Sequence, residues 1–231
     1  MLKMNQVDSF YGNSPVLQKV NFSVGEGELV SVLGRNGVGK TTLMRTILGL
    51  TDRSSGGLFF AGEEIGGLST HARAKRGIAY VPQGRGILPK FTVRENILMG
   101  TFARKGKSRE LPEQALEIFP YLKQNLHRRA GNLSGGQQQQ LAIARALAAD
   151  PKALLLDEPT EGIQPNIVEQ IEQAILMLNR EMKLTIILVE QNIPFVRRAS
   201  NQFMVLEKGQ VAAEGGIGEL TDEVVHRHMT V

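Results

Sequence analysis

Short runs of mostly apolar residues recur along the chain at positions 29–33, 78–81, 153–156, 185–189 and 203–206. Runs that are apolar on both faces predict strands buried in a parallel sheet. Helix-compatible stretches lie between some of them, notably 41–48 and 167–180. Strands alternating with helices imply an α/β sheet. The first third also carries strand-like segments of another kind, at 2–7, 16–24 and 58–61, with Gly25-Glu26-Gly27 and Gly62-Glu63 as turns. Residues 92–149 contain no clear strand and many helix formers. A helix is predicted to start at Thr92, because Thr92 and Glu95 have capping-box spacing, and Pro112 and Pro120 divide the remainder of this stretch. The pattern is an α/β core over about 1–91 and 150–231, interrupted by a helical insert over about 92–149.

Composition narrows the classes. A chain of 231 residues, 42% hydrophobic and 22% charged, can bury a proper core. It has no cysteine, which excludes a disulfide framework and thiolate chemistry. Its first 14 residues hold no apolar block of signal-peptide type, and the apolar runs are too short to span a bilayer. Work at a membrane would therefore go through a partner. A net charge of +4 is too small to argue for nucleic acid, and none is expected as a partner. The stretch 224–231, with His226 and His228, reads as a frayed or packed tail.

The run 29–33 leads directly into Gly34-Arg35-Asn36-Gly37-Val38-Gly39-Lys40-Thr41-Thr42. Strand, glycine loop and helix in that order form a phosphate-binding loop, because glycines let backbone N–H groups turn inward around phosphate oxygens. In such a loop Lys40 reaches the β- and γ-phosphates and the Thr41 hydroxyl binds Mg²⁺. A second apolar run, 153–156, delivers Asp157 and Glu158 at its end, where α/β sheets place ligands. Asp157 is the candidate to hold Mg²⁺ through water, and Glu158 to orient or deprotonate an attacking water.

Leu133-Ser134-Gly135-Gly136-Gln137 supports two compatible readings. Ser134 and Gln137 have capping-box spacing for a helix that Asp150-Pro151 ends. The same helix start, with paired glycines and a hydroxyl, is also an anion site. Two glycines are poor residues for a first helical turn, which favours the second reading.

The glycine loop, the Asp157-Glu158 pair and the 133–137 run together resemble the ABC ATPases over essentially the whole chain. The resemblance implies a single ABC ATPase domain, with a P-loop NTPase core of RecA-like type, an antiparallel β subdomain and an inserted helical subdomain. It implies a head-to-tail dimer in which residues 133–137 contact ATP held by the opposing, identical or paralogous, subunit. It places Tyr11 where the family stacks an aromatic on adenine, and Gln83 where a glutamine touches Mg²⁺ and responds to the membrane partner. The implied activity is Mg²⁺-dependent hydrolysis of ATP on the inner face of the cell membrane, coupled to integral-membrane permease subunits.

Two positions depart from the family. Glu161-Gly162-Ile163-Gln164 stands where Ser-Ala-Leu-Asp is frequent, and Gln191 stands where a histidine is usual. A glutamine amide can hydrogen-bond a γ-phosphate but cannot carry a proton near neutral pH, which leaves Glu158 as the main candidate base. The glycine loop, 80–85, the glutamines after the signature, 161–165 and 189–192 resemble ATPases of branched-chain amino-acid type importers. Within that group they are most similar to the urea or short-amide branch, and the resemblance implies, as an indirect partner, a periplasmic or extracytoplasmic binding protein. Two other readings are a soluble ABC ATPase of DNA repair or translation, and an ATP-gated clamp with little turnover. The first often carries two cassettes or long coiled-coil insertions, which this chain lacks. Gln191 suggests the second.

Overall fold

The computed structural model describes residues 1–104 and 110–229. The expected insert and tail each extend past these bounds, so 105–109 of the one and 230–231 of the other lie outside the described residues. The chain opens with the hairpin β1 (Leu2–Tyr11) and β2 (Ser14–Val24), then β3 (Leu29–Leu33), which runs through a loop into α1 (Lys40–Leu48). β4 (Arg53–Phe60) and the short β5 (Glu63–Glu64) return to the hairpin, giving an antiparallel sheet of order β2-β1-β4-β5. The turn expected at Gly62-Glu63 lies one residue earlier, at Ala61-Gly62, where φ is +50° and +83°. Strand β4 reaches back to Arg53 through Ser54, Ser55, Gly56 and Gly57, pairing with β1 through a stretch of polar residues and glycines, so no apolar pattern announces it.

Helix α2 (Thr70–Lys75) and β6 (Ile78–Val81) lead to α3 (Val93–Gly100), α4 (Glu113–Ile118), α5 (Pro120–Gln124) and α6 (Gly135–Leu147). The core then resumes with β7 (Ala153–Asp157), α7 (Pro165–Arg180), β8 (Thr185–Val189), α8 (Ile193–Ala199), β9 (Gln202–Glu207), β10 (Gln210–Gly216) and α9 (Asp222–Met229). The second sheet has the order β10-β9-β3-β8-β7-β6 and is parallel except for β10, which runs antiparallel to β9.

Both faces of this sheet are covered, which is why β3, β7 and β8 are buried at every position. Leu154, Leu156, Ile186 and Leu188 face one core, built with α3, α6 and α7. Leu155, Ile187, Val189, Val30 and Val32 face another, built with α1 and the antiparallel sheet. Helix α7 offers Ile171, Ala174, Ile175 and Leu178 as a buried stripe, the i, i+3, i+4, i+7 spacing of one helical face. Each fully buried leucine or isoleucine side chain there contributes about 1.5–3 kcal/mol.

Helix α1 is anchored at its C-terminal end by Arg73, a buried cation. Its guanidinium donates to the carbonyls of Thr46 (2.8 Å), Ile47 (2.9 Å), Leu68 (3.0 Å) and Gly66 (2.7 Å). Burial lowers its pKa from the usual arginine value, while the carbonyl oxygens of a helix C-terminus supply the negative potential it needs. The C-terminal stretch is packed: Val224, Val225 and Met229 of α9 lie against Leu33, Val196, Phe203, Val205 and Leu220.

At α3 the capping box is complete. The Thr92 hydroxyl accepts from Glu95 N (3.2 Å) and the Glu95 carboxylate accepts from Thr92 N (2.7 Å). Those bonds hold the Glu95 carboxyl below its usual range. Thr92→Ala is expected to destabilise the chain by about 1 kcal/mol, read as a lower midpoint in urea unfolding with an unchanged slope. A variant with the parent's midpoint would show that the cap contributes nothing.

Candidate functional site

The order β3-β8-β7-β6 sets four strand ends side by side. From β3 comes the glycine loop, from β8 the pair Glu190-Gln191, from β7 the pair Asp157-Glu158 and from β6 Pro82-Gln83. Each arrives at the carboxyl end of a parallel strand, the edge at which such sheets bind ligands.

The glycine loop is locally committed. Gly34, Gly37 and Gly39 have φ of +138°, +78° and +113°, and a Cβ on Gly34 would run into the carbonyl oxygen of Leu206. The hairpin joining β9 to β10 braces the loop from below, with Gly209 N donating to Val38 O (3.0 Å). Lys40 is 6% exposed; its Nζ donates to Gly34 O (2.8 Å) and Arg35 O (2.9 Å) and stands 3.7 Å from Glu158 Oε1.

Around Glu158 the polar groups form a chain. Gln191 Nε2 donates to Glu158 Oε1 (2.8 Å) and to Asn36 Oδ1 (3.2 Å), tying the β8 end to both the β7 end and the glycine loop. Gln83 Nε2 donates to Glu158 Oε2 (3.3 Å) and to Glu161 Oε2 (2.8 Å). Glu158 has φ +48°, an uncommon conformation for a non-glycine residue that is frequent at functional sites. Its neighbour Asp157 is buried, and burial pushes its carboxyl above the usual range against the opposing pull of the Thr41 and Tyr80 hydroxyls. Asp157 Oδ2 accepts from the Tyr80 hydroxyl (3.1 Å), while Oδ1 is buried and accepts no hydrogen bond.

Beside this set lies a cleft of about 290 Å³ lined by Val16, Asn36, Gly37, Gly39, Lys40, Thr41, Thr42, Gln83, Glu158 and Glu161, while Gly34, Arg35, Val38, Asp157 and Gln191 do not line it. Tyr11 is not among the lining residues. It ends β1 on the α1 side, where its hydroxyl accepts from Arg45 (3.4 Å). Residues 133–137 also lie outside the cleft. Ser134 caps α6, accepting from Gln137 N (3.3 Å), and Gln137 Oε1 accepts from Ser134 N (2.9 Å). Gly136 is required there because a Cβ would overlap Ile167 of α7. Helix α6 is nevertheless tied to the loop that carries Gln83. Arg145 donates to Gly86 O (2.8 Å) and Arg85 O (3.2 Å), and Arg85 donates to Gln138 (3.2 Å).

Sequence reasoning misses four residues of this constellation. Val16 and Glu161 line the cleft, Tyr80 holds Asp157, and Glu190 accepts from Thr160 (2.8 Å) and from its own neighbours Gln191 N and Asn192 N. Glu161 carries a signal, as a departure from the usual serine. Tyr80 and Glu190 are set by the strand order of the parallel sheet, and Val16 by the packing of the antiparallel sheet on the glycine loop, which no local motif reports.

A glycine loop between a parallel strand and a helix, with two acids on the strand two places away, defines a P-loop nucleoside triphosphatase. The chain matches the ABC transporter family over residues 17–161. It is 42% identical to the high-affinity branched-chain amino acid transport ATP-binding protein BraG of Pseudomonas aeruginosa, over 91% of each chain. It is 38% identical to the probable branched-chain amino acid transport ATP-binding protein LivF of Archaeoglobus fulgidus, over 96% of this chain and 94% of that one. Among solved structures it is similar to a dimeric ATP-binding cassette in a post-hydrolysis state with ADP and Pi. There the TM-score is 0.83 at 29% identity, covering 94% of this chain and 99% of that one. A nucleotide-free cassette from an ABC transporter gives 0.81 at 28% identity, covering 100% and 95%. The chain belongs to the ABC transporter family, as an ATPase subunit that energises transport.

Proposed function

We propose that this chain hydrolyses ATP for a membrane importer as one half of a head-to-tail dimer. The observation that carries this is the separation of its two phosphate-binding features. The glycine loop opens on the cleft of its own chain, and the helix start at residues 133–137 stands outside it. Residues Leu133, Ser134, Gly135, Gly136 and Gln137 then serve ATP held by the other copy, with N–H groups of a helix N-terminus directed at the γ-phosphate. Tyr11 supports the adenine, and Gly34 to Thr42 cradle the phosphates.

Mg²⁺ fits the site. Asp157 Oδ1 is a buried carboxylate oxygen that accepts no hydrogen bond, and the neighbouring donors are hard oxygens. Thr41, Asp157 and Gln83 would hold the ion, which when bound would neutralise charge on the β- and γ-phosphates. Lys40 supplies a second positive charge. Glu158 takes a proton from water as the water oxygen bonds to the γ-phosphorus and the bond to the bridging oxygen breaks, releasing ADP. Gln191 holds Glu158 against Asn36 and takes no proton. Gln191→His is therefore expected to leave turnover unchanged or modestly changed in a phosphate-release assay. A large gain would mean that the native glutamine impairs hydrolysis and would support the clamp reading.

The named relatives make branched-chain amino acids the first candidate cargo class, and the segments 80–85, 161–165 and 189–192 add urea and short amides. The other partners are integral-membrane permease subunits and, through them, a periplasmic binding protein, with the ATPase at the inner face of the membrane. No helix among the described residues is long and apolar enough to cross a membrane. The test is reconstitution with the permease subunits in vesicles and comparison of ATP-driven uptake of leucine and of urea. ATP hydrolysis that no permease stimulates would remove the importer reading.

A further inference from the structure

The acid proposed to meet Mg²⁺ is held by a side chain from a different strand. Tyr80 lies on β6, in register with Leu155 of β7, and its ring packs on the core beneath α1. From there the hydroxyl reaches Asp157 Oδ2 at 3.1 Å. A phenol carries its proton at neutral pH, so the Tyr80 hydroxyl donates to that oxygen. The other oxygen, Oδ1, is buried without a hydrogen bond.

We propose that Tyr80 is a positioning residue for the metal. By occupying Asp157 Oδ2 it fixes the rotation of the carboxylate and leaves Oδ1 as the oxygen offered to the divalent cation. Without the phenol the carboxylate turns more freely, and a buried oxygen loses its hydrogen bond. This rests on the reading of Thr41 and Asp157 as the metal end of an ATP site.

The test compares the parent chain with Tyr80→Phe, which removes one oxygen and keeps the ring. Binding of AMP-PNP is measured in EDTA and in Mn²⁺, and the electron paramagnetic resonance spectrum of bound Mn²⁺ is recorded. The ratio of the two affinities is the factor by which metal strengthens nucleotide binding. Tyr80→Phe is expected to reduce that factor about tenfold, the worth of one hydrogen bond to a charged group, and to alter the Mn²⁺ spectrum, with metal-free affinity unchanged. In a chain already carrying Asp157→Asn the same change is expected to make no further difference. A factor within twofold of the parent overturns the proposal. So does an equal loss of metal-free affinity, which would assign Tyr80 to packing, or an equal effect in the Asp157→Asn chain. A parent chain that binds no AMP-PNP under either condition would instead overturn the ATP site itself.

Discussion

Glu158→Gln is expected to keep ATP binding and slow hydrolysis by about 10²- to 10⁴-fold, the usual worth of a general base. The geometry explains why the substitution is a clean one for binding. Glu158 stands 3.7 Å from Lys40, so removing its charge leaves the ammonium freer for phosphate. The carboxylate accepts from Gln191 on one oxygen and from Gln83 on the other. A glutamine at 158 has one carbonyl oxygen and one amide nitrogen, so it can satisfy one of those donors, and the other neighbour must flip its amide and give up its bond to Glu161 or Asn36. The variant should therefore also loosen either Gln83 or Gln191. Turnover near the parent's in a single-turnover phosphate-release experiment would take Glu158 out of the base role.

A second large effect is expected at Gly34. Its φ of +138° lies where side-chain-bearing residues are rarely found, and an added Cβ would meet the Leu206 carbonyl, which belongs to a paired strand and cannot give way cheaply. Gly34→Ala should destabilise the fold by about 2–4 kcal/mol and displace the loop enough to abolish nucleotide binding. Gly37 is the internal control. Its φ is +78° and nothing lies within 4 Å of the added Cβ, so Gly37→Ala should cost only about 1–2 kcal/mol of left-handed strain. Thermal melts with and without ATP distinguish the two. Equal losses at both positions would mean that the Leu206 contact is not what constrains the loop.

The features legible in the sequence are those written locally. β3, β7 and β8 announce themselves because strands buried on both faces leave unbroken apolar runs. The glycine loop, the acid pair and the capping boxes are short-range patterns whose physics needs fixed residue types at fixed spacing. β10 leaves no such trace, because it lies at a sheet edge and alternates half-buried with exposed positions around Ala212 to Gly216. Helix α2 escapes because its main buried residue is Arg73, which a hydrophobic pattern counts as surface. Helix α8 escapes because it is short and begins at Ile193-Pro194. In the site, Tyr80 and Glu190 depend on which strands lie side by side, and Val16 on how the antiparallel sheet packs against the glycine loop, and both are properties of the assembled fold.

Arg73 fixes the end of the helix that the nucleotide loop starts. Helix α1 begins at Lys40 beneath the loop and ends on a cation seated among its last carbonyls. A triphosphate at one pole and a guanidinium at the other complete the same dipole from both ends. The helix is thus pinned at its far end to α2 through Arg73, and to the antiparallel sheet through the bond of Thr46 to Ser9 (2.9 Å). Because Arg73 is anchored on buried backbone oxygens, that anchorage should keep its strength in salt concentrations that dissolve surface ion pairs.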